Sequence, residues 1–195
     1  MQTLGLSDST TRSESRLKSL FWPSIQSGAD VDYLAVQGFW VCMMVGVMSL
    51  VFLTLARQPI SGVLAFLLFH LGGVGVREHS PFAAAIMLVF YVVDFLASIV
   101  FVFPNSPGIG VLKIIITALL LSNLRATWIA AGWKPDSDEA ALPPRLGETF
   151  FDKVADLWPA FIWPKMKVVY YIFSFGYLAL TVAGIIVIML RGRLS

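Results

Sequence analysis

The stretch from Ser80 to Phe103, SPFAAAIMLVFYVVDFLASIVFVF, is long and apolar enough to cross a bilayer, and near its middle stands one carboxylate, Asp94. A hydrocarbon core about 30 Å thick is spanned by roughly 20 helical residues. Only a helix or a closed barrel satisfies its own backbone there. A carboxylate at that depth costs about 2.5–3.5 kcal/mol on insertion scales, so it requires a counter-charge, a proton or a wet cavity. Whatever this chain folds into must accommodate Asp94.

Of the 195 residues 57% are hydrophobic and 13% charged, and the mean hydropathy is +0.79. Soluble domains carry about 25% charged residues. The deficit here is concentrated in runs of membrane-spanning length. The expected fold is all-α: one polytopic transmembrane bundle of about five spans, with amphipathic interfacial helices before the first and last spans. No basic stripe with interleaved aromatics lies outside the spans, which argues against a nucleic-acid partner. The single cysteine, Cys42, excludes an internal disulfide and a CxxC metal site. Its neighbours Met43 and Met44, with Met48 beyond, are read as apolar packing and not as a soft-metal site. Neither a metal nor a cofactor is expected.

Residues 1–36 comprise a polar tail and an interfacial segment. In the latter, Leu17, Leu20, Phe21, Trp22 and Ile25 oppose Arg16 and Lys18, and Pro23 and Gly28 break the run. Ser27 and Asp30 suit the cap of a helix entering the membrane. Four spans are expected within 37–133, at about 38–56, 60–76, 81–103 and 109–128. Pro104 to Gly108 form a dense turn signal. Residues 134–166 read as a linker with an amphipathic helix, opened by Thr149 and Asp152 as a capping box. Phe150, Phe151, Val154, Leu157, Trp158 and Phe161 repeat at helical spacing opposite Asp152, Lys153 and Asp156, and Pro159 and Pro164 are expected to end that helix. A fifth span at about 168–190 and a short tail occupy 167–195. Trp22, Phe150, Phe151, Trp158 and Trp163 are the expected interfacial anchors.

With five spans the termini lie on opposite sides. A cytoplasmic N-terminus places ten of the 14 Lys and Arg on that side and Arg57, Lys113, Arg191 and Arg193 on the other. The positive-inside rule favours this orientation. The general character is that of short multi-pass proteins of the bacterial inner membrane.

Lys113 enters the fourth span from the side opposite the N-terminus, on the helix that follows the Asp94 helix across a short turn. Counting about 1.5 Å per residue puts the two charges within roughly one turn in height, and adjacent antiparallel helices normally pack together. An Asp94–Lys113 pair is expected, with Tyr91 and Ser98 on the Asp94 face and Thr117 beside Lys113. His70 should sit nearer the N-terminal side, level with Ser122, Asn123 and Arg125. The cluster of His70, Tyr91, Asp94, Ser98, Lys113, Thr117 and Arg125 is either a structural clamp or a proton or ion relay. Two histidines nine residues apart do not make a zinc site. The glycines at 72, 73 and 75 have neither the spacing nor the strand of a dinucleotide fingerprint, and serve close helix approach or a loose helix end.

HExxH, GxSxG and P-loop motifs are absent from the sequence. The leading functional reading is therefore a small, non-catalytic accessory or scaffold subunit. Its partners would be the lipid bilayer and other membrane proteins, or copies of itself as a homo-oligomer. The alternative is an ion-coupled transporter or channel using Asp94 and His70, and behind it a lipid-modifying membrane enzyme.

Overall fold

The computed structural model describes residues 15–101, 107–134, 137–142 and 149–194. The polar N-terminal tail, most of the Pro104–Gly108 turn and Pro143-Pro144 lie outside the described residues. Among the described residues every regular element is helical: α1 (Arg16–Phe21), α2 (Gly28–Leu55), α3 (Pro59–Arg77), α4 (Pro81–Phe101), α5 (Pro107–Ala131), α6 (Phe150–Asp152) and α7 (Trp158–Leu194). Five of these helical stretches are long and apolar enough to cross a membrane. The chain is a multi-pass helical membrane protein.

Local chemistry sets the helix ends. The Asp30 carboxylate accepts from the backbone N–H groups of Ser27 (3.1 Å) and Gln26 (2.9 Å), so α2 starts at Gly28, behind the cap expected at Ser27 and Asp30 and ahead of the span expected from about 38. The first helix therefore carries Asp30 and Asp32 with it. The α2–α3 and α3–α4 connections are three-residue turns of one design. Arg57 (φ 61°) and His79 (φ 55°) take the left-handed conformation, and the residues after them, Gln58 and Ser80, donate back to Leu53 and Gly75. This is the Schellman arrangement that closes helical hairpins, here without the usual glycine.

The end of the bundle that carries the α2 start and the α3–α4 turn is tightly packed. Among the described residues, the largest fully buried side chains lie there, including Arg77, Tyr170, Phe39, Leu34, Leu68, Met87 and Asn123. Glycine permits the approach. A Cβ on Gly38 would collide with the Asn123 side-chain amide, and one on Gly75 would fall 2.6 Å from Ala83 Cβ and closer still to the Trp163 ring. Gly75→Ala is accordingly expected to push α7 off α3 and cost about 1–3 kcal/mol. A lowered thermal midpoint in mild detergent would show it, and an unchanged midpoint would mean that Trp163 simply swings aside.

Towards the other end the bundle opens. No residue of α2 beyond Gly46 is buried, and no described residue of α7 beyond Ser174. The α2–α3 hairpin stays paired there through Gly62 against Leu50, and α4–α5 through Asp94 and Lys113.

One expectation fails in an informative way. Pro159 and Pro164 do not end a separate amphipathic helix: a single helical path runs from α6 through a π-turn at Lys153–Leu157 into α7. Widening the turn before Pro159 accommodates a residue that has no N–H and crowds the carbonyl four residues earlier. That carbonyl belongs to Ala155, and it finds a donor elsewhere.

Candidate functional site

The donor is Arg77. It is the last residue of α3 and only 1% exposed. Its Nε donates to the Ala155 carbonyl at 3.0 Å, and its Nη2 to Asp156 Oδ1 at 2.7 Å. Its other face meets Asp32 of α2, with Nη1 on Oδ1 and Nη2 3.3 Å from Oδ2. His79 Nε2 lies 3.7 Å from Asp32 Oδ1. Asp156 thus faces the bundle and not water, and Arg77 ties the starts of α2 and of the fifth spanning helix to the end of α3. The planar five-donor guanidinium suits this, because two carboxylates and a carbonyl need donors in fixed directions.

His70, half-buried, has partners on two other helices. The Trp158 indole N–H donates to Nε2 at 3.1 Å, so the other ring nitrogen carries the proton and faces the Met43 sulfur at 2.9 Å. The Phe66 ring stacks on the imidazole. Both ring nitrogens of a neutral histidine are thereby engaged. Trp158→Phe is expected to remove one hydrogen bond, cost about 1 kcal/mol and release the His70 tautomer. The imidazole 15N shifts report this directly, and unchanged shifts would contradict the assigned tautomer.

Asp94 and Lys113 are brought together as an ion pair between α4 and α5. Lys113 Nζ also donates to Ser98 Oγ at 2.6 Å, and Ser98 in turn donates to the Asp94 carbonyl at 2.7 Å. The Lys113 ammonium lies 5.9 Å from the Tyr91 ring centre. Thr117 stands apart and bonds back to the Lys113 carbonyl at 2.7 Å.

The exposures within this pair are unequal. The Lys113 side chain is 15% exposed and that of Asp94 61%. Yet Asp94 shares its helix face with Met87, Phe90, Tyr91 and Ser98, all of them buried. It points the way the core points, at a height where the neighbouring helices no longer fill the space. Around it α4 and α5 present Leu96, Ile99, Val111, Leu112, Ile114 and Ile115.

The structure does not unite the sequence-derived cluster. His70 belongs to the α2–α3–α7 junction. Arg125 reaches the Pro23 carbonyl at 2.9 Å with its guanidinium over the Trp22 ring, and Asn123 donates to the Leu34 carbonyl. Among the described residues neither His70 nor Arg125 has a partner in common with Asp94. Of the expected anchors, Phe150, Phe151, Trp158 and Trp22 are exposed. Trp163 is buried, packed on Tyr170 and Tyr171 where Gly75 leaves room for its ring. A groove of about 560 Å³ between α4 and α7 is lined by Phe82, Ile86, Val89, Phe175 and Leu178, with Ser174 and Tyr171 among them. No group of three or more His, Cys, Asp or Glu placed to hold a metal occurs among the described residues.

Comparison with protein-family models, curated proteins and solved structures finds no match to this chain. The reading of function therefore rests on geometry.

Proposed function

We propose that the protein is a non-catalytic accessory or scaffold subunit that receives a transmembrane helix of another membrane protein in its open half. One observation carries the reading: a carboxylate at spanning depth, on a core-facing position, is left 61% exposed. Ionisable groups inside spans face protein or a wet cavity, not lipid. An apolar helix filling the space in front of Asp94 would complete a core that the chain alone leaves unfinished. The positive charges favour a cytoplasmic N-terminus, and the composition fits a bacterial inner membrane. In that orientation the open half faces away from the cytoplasm, and Phe150, Phe151 and Trp158 lie towards the cytoplasmic side.

Purification from the native membrane in a mild detergent, with mass determination and identification of what accompanies the chain, tests this. A stoichiometric membrane protein supports a subunit role. A homo-oligomer without companion favours the second reading, ion transport past Asp94. That reading draws on the same exposed carboxylate but loses His70, which the structure commits to Met43 and Trp158. The lipid-enzyme reading loses its acid–base pair for the same reason.

A further inference from the structure

We infer that the partner helix carries a neutral hydrogen-bond donor, such as Ser, Thr, Asn, Gln, Tyr or Trp, at the depth of Asp94, and that it is not a second copy of this chain. The inference rests on the docking role proposed above and specifies its chemistry. The Asp94 carboxylate uses Oδ2 for Lys113, while Oδ1 has no hydrogen-bond partner among the described residues. The pair therefore offers one acceptor to the open space. It is already electrically neutral. A second cation brought against it would leave a net positive charge where charge is costly. A neutral donor satisfies the oxygen without that cost, as polar side chains do across helices in membranes.

A second copy fits poorly. Two-fold pairing brings the same surface together on both sides. Here the anion is outermost and the cation lies beneath it, held by Asp94 and Ser98. A two-fold axis passing at Asp94 would oppose carboxylate to carboxylate, with each lysine held beneath its own Asp94 and Ser98.

The test places a photo-crosslinking p-benzoylphenylalanine at Ala97, one turn from Asp94 on the open side, in the full chain in its native membrane. The expected adduct is a transmembrane segment of another protein with one of the six donors within a turn of the cross-linked residue. Asp94→Leu combined with Lys113→Leu removes the acceptor without leaving an orphan charge. In that background the adduct is expected to fall about three- to thirtyfold, the range of single interhelical hydrogen bonds in membranes. Asp94→Asn combined with Lys113→Met keeps one acceptor oxygen that no lysine occupies and should retain most of it. A cross-linked segment with Lys or Arg at that position, or with apolar residues alone, overturns the donor inference and leaves the docking role standing. Cross-linking to a second copy overturns the choice of partner. Lipid adducts alone overturn both.

Discussion

Arg77→Ala is expected to lower the stability of the protein by about 3–5 kcal/mol, the cost of stripping one partner from a buried ion pair. Arg77 is 1% exposed, and removal of its guanidinium strands Asp32, Asp156 and the Ala155 carbonyl together. Arg77→Lys should recover less than half of the loss, because one ammonium on a flexible stem cannot reach both carboxylates and the carbonyl. Replacing Arg77 by Met with Asp32 and Asp156 by Leu should recover most of it, since apolar substitutes of similar volume can match a buried ion pair. The shortfall should be about 1–3 kcal/mol for the Ala155 carbonyl, still without the N–H that Pro159 lacks. Unfolding midpoints of the four proteins in one detergent decide the matter. Equal midpoints for Arg77→Ala and the wild type would mean that Arg77 does not hold the fifth spanning helix.

Pro159 is the reason this site escapes a reading of the sequence. Proline inside an amphipathic repeat reads as an end, so Lys153 to Trp158 looks like a surface helix and Asp156 like its wet side. In the folded chain the π-turn carries the helix past the proline, rotates Asp156 inward and leaves the Ala155 carbonyl for Arg77. The partners are 78 and 79 residues apart along the chain, and no local period reports such a contact. The one usable signal is an arginine two residues beyond Gly72-Gly73-Val74-Gly75, a run that admits close neighbours and so favours burial of the adjoining side chains.

The spans are legible for the opposite reason. Each is a local property of a continuous apolar run, and the bilayer fixes its length. Asp94 and Lys113 lie between these extremes. They are distant by a turn only, on antiparallel neighbours, so height along each helix suffices to pair them. What height could not supply is the asymmetry of the pair, since exposure depends on how far the other helices spread at that level. Trp163 is a related case: its place in the core follows from the space at Gly75, which the run of residues around Trp163 does not show.

That asymmetry makes Asp94 and Lys113 the most informative pair to vary. Asp94→Asn leaves a buried ammonium with Ser98 Oγ and a carbonyl 3.5 Å away, whereas Lys113→Met leaves the carboxylate without a cation. Because the cation is the more buried partner, Asp94→Asn should cost the isolated protein more. The double variant has no orphan charge and should recover towards the wild type, with a coupling of about 1–3 kcal/mol, as measured for contacting pairs. Additive losses would mean that the two side chains act independently. Recovered stability does not settle function, and the two readings part here. In a docking subunit the double variant keeps the Asn oxygen as an acceptor, so it should still co-purify with its partner. If Asp94 carries an ion, the double variant should fold normally and transport nothing in liposomes, because an amide cannot exchange the charge that a carboxylate does. Stability and partner retention together would place the role of Asp94 in recognition, whereas stability with loss of flux would place it on a path through the open half.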